Sequence, residues 1–481
     1  MTITVEVEIN KREIETFGKL VKTAYRMAME FGRKIVVAVL KERDEELQKE
    51  RDRKRYRCKG KRKTCIKTVL GEIEYERNVY VDNAAVEKGG CIYLLDEELE
   101  IGRIGQVSED LCGLAARAVC ETTYRGAANL ITETTGQSIS AQGVWNIIQK
   151  MGNVREKQIN QQAEAAARHC ASGTVESELL YEENDGVWLP LQGKSRQEHG
   201  KRKEMKVGIA YDGVTWTVGK GGKKRRTLDC KVAYASFENA REFQRNKEGV
   251  VASRFNVDEI DLRVINGDGA QWIQKHGETD CIGVLDAFHR NKKITECVRD
   301  EEFAKLLRSL LYEKRIEDLL ECLQAQINSV MDEQEKAELR DLLRYYQNNK
   351  DALLGYYDRG IVIPPTREPG VIHHARLGSM ESNVFTLIGN RMKGRRACWS
   401  IDGANHLALI LCAYHTTGLE NMFAEPTGVV ASVAPEVKCS AASVQKKVGK
   451  GTEHYHSASL PNYAWLHDIT AYVPFSELRF S

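Results

Sequence analysis

No apolar run in this 481-residue chain is long enough to cross a bilayer as a helix. The best stretch, Leu407 to Tyr414, falls far short of the roughly 18 residues a span requires. The first ten residues do not read as a secretory signal either. They alternate Val and Ile with polar residues and carry Glu6 and Glu8, without the basic, apolar, small-residue order. Net charge is nearly absent: 71 Lys and Arg against 69 Asp and Glu leave +2, so the whole-chain balance points to no partner. Cys-x-x-Cys is absent, and Cys58 and Cys65 are too far apart for a usual zinc knuckle. A nucleotide-binding P-loop is absent too, because Gly213 to Lys220 has the wrong spacing and Gly221 stands where Ser or Thr is required. The 13 cysteines are odd in number and scattered, which suits reduced thiols in a cytoplasmic protein. No internal repeat or low-complexity tract appears.

The length suggests about three domains. With 42% hydrophobic and 29% charged residues, the chain is expected to be globular rather than disordered. Its charge is unevenly spread. Lys49 to Lys67 holds 11 basic residues against Glu50 and Asp52, among them Arg53, Lys54, Arg55, Arg57, Lys61, Arg62 and Lys63. A second belt runs from Lys194 to Arg226, and a third comprises Arg391, Lys393, Arg395 and Arg396. Any one run reads most simply as a solvated loop. Three of them, each beside another nucleic-acid signal, favour a polyanionic partner through local field rather than net charge.

Hydrophobic spacing predicts a long helix over 11–52, with Phe17, Val21, Ala24, Ala28, Val36, Val37 and Leu40 on its apolar side. Thr64 to Tyr80 alternates and is rich in β-branched and aromatic residues around Gly71, which predicts a β ribbon. A helix over Tyr124–Glu133, a turn at 134–139 and a second helix from an N-cap at Ser140 to Met151 follow the order of a helix-turn-helix. Such a unit would show Gln142, Asn146 and Gln149 to base edges; spacing alone fits an αα-hairpin that only packs equally well. Residues 153–177 read as a helical linker. Strands are predicted at 179–189, 205–211, 231–237, 262–269 and 281–286, with a helix over 239–254, giving a mixed α/β sheet. Residues 296–357 carry only helical spacing, Ser379 is positioned to cap a helix bearing Glu381, and Ser400 another through Tyr414.

Three acids stand out. Asp185 sits mid-strand beside Gly186, where acids are disfavoured. Asp268 ends a strand between Gly267 and Gly269, and Glu381 follows the helical stretch. Two-metal phosphodiester chemistry needs carboxylates from separate elements that converge on two ions, and Mg²⁺ prefers such hard oxygen ligands. Taken singly, a strand-end Asp is usually a turn residue and a first-turn Glu a surface charge. His454-x-His456 near Cys439 reads as a surface pair rather than a metal site.

The ordered set Lys63–Tyr80, Asp185-Gly186-Val187-Trp188-Leu189, Gly267-Asp268-Gly269-Ala270-Gln271-Trp272-Ile273, Asp286-Ala287-Phe288-His289, Gly378-Ser379-Met380-Glu381-Ser382-Asn383, Arg391-Met392-Lys393 and Cys398-Trp399-Ser400 resembles bacterial insertion-sequence transposases of the ISLre type, over nearly the whole chain. The resemblance implies an RNase H-like mixed-sheet core interrupted by an all-helical insertion, and a catalytic triad at Asp185, Asp268 and Glu381 holding Mg²⁺, for which Mn²⁺ can substitute. Asp286-x-x-His289 looks like the Asp/Cys-x-x-His signature of Mutator-like relatives, with His289 near the active centre and the role of Asp286 open. Arg391, Lys393, Arg395 and Arg396 would contact phosphate.

The implied organisation is an N-terminal helical, oligomerising region at 1–56, a β-ribbon domain at 57–105 and a helix-turn-helix at 106–152. A linker at 153–177, core at 178–295, insertion at 296–370, core at 371–416 and a C-terminal region at 417–481 complete it. The expected partners are double-stranded DNA, as terminal repeats and target, and at least a second copy of the chain; the expected place is the cytoplasm, on the nucleoid. A non-catalytic DNA-binding regulator and a cellular nuclease of the same fold are the alternatives.

Overall fold

A computed structural model describes residues 12, 14–84, 91–101, 103–171, 173–219, 221–270, 272–273, 281–364, 377–394 and 396–420. In chain order the strands are β1 Tyr56–Thr68, β2 Gly71–Asp82, β3 Cys91–Ile92, β4 Arg103–Ile104, β5 Val107–Ser108, β6 Leu179–Pro190, β7 Arg202–Tyr211, β8 Gly213–Val218, β9 Lys224–Asp229, β10 Val232–Ser236, β11 Leu262–Gly267 and β12 Cys281–Leu285. The helices are α1 Phe17–Glu50, α2 Leu94–Glu98, α3 Glu109–Glu121, α4 Tyr124–Thr135, α5 Ala141–Ala167, α6 Gly193–His199, α7 Ala240–Ala252, α8 Ala287–Cys297, α9 Glu301–Tyr312, α10 Ile316–Ser329, α11 Glu333–Asn348, α12 Met380–Val384, α13 Asn390–Met392 and α14 Ile401–Tyr414.

The central sheet has the order β10-β7-β6-β11-β12. β6, β7 and β10 pair antiparallel, while β11 and β12 continue parallel on the other side of β6. Alternation along β6 gives two buried faces. Tyr181, Val187 and Leu189 join the large core with α3, α4, α5 and α14. Leu180 packs under α7 with Phe243, Val250 and Val251. On the α7 face Lys247 Nζ donates to Glu182 Oε2 at 2.6 Å, and Arg263 bridges Glu182 at 3.0 Å to Glu248 at 2.7 Å. Burial of such charges requires this pairing.

α8 to α11 build a separate core from Leu307, Leu310, Leu319, Leu323, Leu339, Leu342 and Tyr346. At the N-terminal end, the second half of α1 packs with β1, β2 and α2 through Leu40, Ile66, Ile73, Tyr75 and Leu95. The β1–β2 turn uses Gly71 at φ +104°, a value that favours glycine.

The expected mixed α/β architecture is present, with three differences. The second helix of the expected helix-turn-helix does not stop at Met151: it continues as one helix to Ala167. Gly152 lies within it because α14 crosses there, and a Cβ would sit 2.3 Å from His406 Cβ. The basic belt at 223–226 lies on a ribbon, β8 paired with β9, that the strand pattern did not reveal. Ser379 does not cap its helix with its side chain, because its own backbone is already helical. By contrast Ser140 and Ser400 cap as expected, accepting from Gly143 N at 3.0 Å and Gly403 N at 3.2 Å.

Where α5 meets α7, a Cβ on Gly249 would lie 2.5 Å from Ala163 N. Gly249→Ala is therefore expected to destabilise by about 1–3 kcal/mol in chemical denaturation, as overpacking does. Gly113→Ala in α3, with nothing within 4 Å of its Cβ position, is expected to be neutral or stabilising by up to about 1 kcal/mol.

Candidate active site

Strand register builds the centre of the site. β6 and β11 run parallel with Asn266 opposite Glu183, so two residues on Asp268 arrives level with Asp185. β12 continues the pattern: Gly267 is opposite Leu285, which brings Asp286 beside Asp268. Three neighbouring strands thus deliver three acids in a row at one sheet edge. Each is held differently. Asp185 Oδ1 accepts from Gly186 N at 2.7 Å. Asp268 Oδ1 accepts from Ala270 N at 2.9 Å, closing a turn in which Gly269 takes φ +86°. Asp286 is buried and caps α8, accepting from Phe288 N at 2.9 Å and His289 N at 3.3 Å. His289 turns back from that helix, with Nε2 3.9 Å from Asp185 Oδ2.

A fourth acid, Glu204 of β7, escaped sequence reasoning. Its carboxyl lies over Gly186, where a Cβ would be 2.0 Å from Glu204 Oε1. Gly186 therefore makes room for a carboxyl as well as permitting approach to the strand. Burial pushes the Asp185 carboxyl above its ordinary range, and the charges of Asp268 and Asp286 add to this; the Gly186 N–H and His289 oppose it. Burial likewise raises Glu204, with Lys206 opposing and Asp268 and Asp185 reinforcing the shift. At both carboxyls burial is the larger cause and the neighbouring carboxylates add to it.

Glu381 stands on α12, whose N-terminus is fixed by Glu183 of β6. The Glu183 carboxylate is fully buried and accepts from Gly378 N at 3.0 Å and Ser379 N at 2.9 Å. It also accepts from Tyr211 Oη at 2.7 Å and Asn266 Nδ2 at 3.1 Å. Asn266 Nδ2 reaches Asp286 Oδ2 as well, at 3.0 Å. One amide thus links the carboxylates that cap α8 and α12. The buried carboxylate thus anchors the two residues that lead into α12, and its charge suits the helix dipole. Past Val384 the helix widens into a π turn over Phe385–Gly389, a feature frequent at functional sites.

The expected trio is brought together only in part. Asp185 and Asp268 are side by side with His289 against them, whereas Glu381 is exposed on its helix. Among the described residues no three carboxylate, imidazole or thiol groups come close enough to share one ion. The donor set at Asp185 and Asp268 nevertheless fits a divalent cation of the Mg²⁺ kind: hard carboxylate oxygens, with an elevation at Asp185 that a cation would relieve.

The remaining predicted residues divide. Arg53, Lys54, Arg55, Arg57, Lys61, Arg62 and Lys63 are all exposed, at the start of β1 and along it. Arg55 pairs with Asp82 at 3.0 Å and Lys63 with Glu74 at 2.7 Å. Gln142 and Asn146 are exposed and bonded to each other at 3.1 Å. Gln149 instead meets His406 Nδ1 at 2.7 Å and so serves α5–α14 packing. Arg391 is turned inward: its Nε donates to Val119 O at 2.6 Å and its guanidinium lies over the rings of Tyr124 and Trp399. Lys393 and Arg396 are exposed. Arg395, His454, His456 and the whole of 421–481 lie outside the described residues.

Fold and site together define a mixed α/β protein with an acidic centre at the ends of parallel strands. By sequence the chain belongs to the uncharacterised protein family UPF0236, whose model matches residues 12–423. It is similar to a UPF0236 protein of Caldanaerobacter subterraneus subsp. tengcongensis, 25% identical over 74% of this chain and 71% of the relative. A second from the same organism is 25% identical over 74% and 72%. The UPF0236 protein in the vanSb 3' region of Streptococcus gallolyticus is 22% identical over 70% of each.

Two outcomes follow from the electrostatics. Raised carboxyls bind protons more tightly in the folded than in the unfolded chain, so their contribution to stability is lost as pH rises through the raised values. Asp268→Asn removes a like charge and is expected to raise the melting temperature by a few degrees at pH 7–8, with the gain vanishing toward pH 4. Glu183→Ala strands four donors in the interior and is expected to cost roughly 3–5 kcal/mol in denaturant titration.

Proposed function

We propose that this chain is a DDE-type DNA transposase of the ISLre type, built on an RNase H-like core, which cleaves at the ends of an insertion sequence and joins them to target DNA. The observation that carries the reading is the register that sets Asp185 and Asp268 side by side on neighbouring parallel strands. The sheet supports it through an antiparallel meander extended by two parallel strands, and so does the all-helical stretch between β12 and the helix bearing Glu381. The name carried by one Caldanaerobacter relative joins eleven locus numbers of one genome, as expected of sequences that copy themselves.

In this reading Asp185 and Asp268 hold Mg²⁺, and Mn²⁺ can substitute. The bound ions supply activation of the attacking oxygen and stabilisation of the leaving oxygen. Glu381, on the helix anchored to the sheet by Glu183, completes the set. His289, hydrogen-bonded through its own N–H to Asp286, orients the scissile strand beside Asp185. The exposed basic run on β1, with Gln142 and Asn146, contacts the terminal repeats. Joining two ends calls for at least two copies. Exposed Phe17, Leu20, Val21, Tyr25 and Phe31 on α1 support a contact there. No helix among the described residues is long and apolar enough to cross a membrane, and the reading places the protein on the nucleoid.

A second reading, a DNA-binding regulator without cleavage, draws on the exposed position of Glu381. The two separate in one experiment. Purified protein with Mg²⁺ and labelled DNA spanning the borders of its element is expected to nick at the border. Asp268→Asn is expected to bind that DNA and leave at most about a thousandth of the cleavage rate. Binding without cleavage by the unaltered chain would favour the regulator, and equal cutting by the variant would falsify the assignment of Asp268.

A further inference from the structure

Two exposed phenylalanines stand where an apolar ring has no structural reason to face water. Phe288 is 52% exposed and Phe385 is 62% exposed. Phe288 follows Asp286 by two residues and lies edge-on to His289, with ring centroids 5.4 Å apart; His289 in turn meets Asp185. Phe385 stands one helical turn past Glu381, on the same side of the helix. The two helix starts adjoin, since a Cβ on Gly378 would be 3.6 Å from Asp286 Oδ2. Phe288 therefore borders the acidic centre, and Phe385 lies on the side of α12 that carries Glu381.

Their surroundings select a ligand. Bare carboxylates repel phosphate, so the centre itself receives poorly a backbone that lacks bound cations. Flat apolar rings at its margin suit the π face of a base, which carries no charge. Further along the same faces the side chains change to those that accept a backbone. Thr386, Asn390 and Lys393 are exposed beyond Phe385, and Lys292 one turn beyond Phe288. This alternation of ring and cation is the chemistry that holds an unpaired strand.

We infer that Phe288 and Phe385 are stacking platforms for unpaired bases next to the phosphate being cut, so that the site takes splayed rather than fully paired DNA. The inference rests on the transposase reading for its location and deepens it by naming the form of the substrate.

The test uses the full chain with Ca²⁺, which neutralises the carboxylates without supporting cleavage, so that nothing is cut. The probes are a forked oligonucleotide with a thymine arm carrying one 2-aminopurine and the same sequence fully paired. The fork is expected to bind about tenfold more tightly than the duplex and to lose 2-aminopurine fluorescence on binding. Phe288→Ala with Phe385→Ala is expected to abolish the preference and the quenching while duplex affinity stays. Phe385→Trp is expected to keep both. Preference that survives in the double alanine variant overturns the proposal. So does a double variant whose melting temperature falls by many degrees, because the rings are then packed by the chain itself. Cleavage is scored separately. A protein that selects forks through these rings and never cuts contradicts the transposase reading alone. One that cuts at element borders with an unchanged fork preference contradicts only the stacking platforms.

Discussion

Everything at the acidic edge depends on one buried carboxylate that does no chemistry. Glu183 takes four hydrogen bonds from three directions: the Tyr211 hydroxyl on β7, the Asn266 amide on β11 and the N–H groups of Gly378 and Ser379. A buried charge is tolerated only when its lone pairs are satisfied. Here satisfying them fixes where α12 begins, and so where Glu381 stands relative to the sheet. Asn266 extends the constraint to Asp286 and hence to the start of α8. Two helices and two strand ends are tied to a single charge, two residues before Asp185.

The helical insertion belongs to the same construction. Tyr345 on α11 donates to the Asp268 carbonyl at 2.7 Å, and Asn349 lies against Gly269, where a Cβ would be 2.9 Å from its Oδ1. Tyr346 donates to the Arg290 carbonyl at 2.9 Å on α8. The insertion therefore buttresses the turn that presents Asp268 and the helix that presents His289. A domain inserted in sequence is in space the floor beneath two of the site residues.

Much of this was legible in one dimension. Period-2 alternation around Asp185, the Gly-flanked end at Asp268, the heptad-like leucines of 300–345 and the caps at Ser140 and Ser400 rest on local physics, and local physics is written in adjacent residues. What was not legible depends on partners far along the chain. Glu182, Glu183 and Asp185 look alike as acids in a row. Only the fold assigns the first to Lys247 and Arg263, the second to a helix start 195 residues away, and the third to the site edge. Glu204 was invisible for the same reason: its place over Gly186 is a cross-strand relation. The assignment of Ser379 as a side-chain cap failed because its own backbone is helical rather than extended. The place of Arg391 between Tyr124 and Trp399 has no sequence signature either.

If Asp185 and Asp268 form one cation-binding edge, a bound redox metal reports its own position. The most direct measurement is to load the purified chain with Fe²⁺ in place of Mg²⁺, add ascorbate and peroxide, and map where hydroxyl radicals cut the polypeptide. The account predicts breaks confined to the neighbourhoods of 185, 268 and 286, suppressed by excess Mg²⁺, with a further break near 381 once DNA is bound. Cuts scattered over the surface, or a single cluster at some other group of acids, would contradict it.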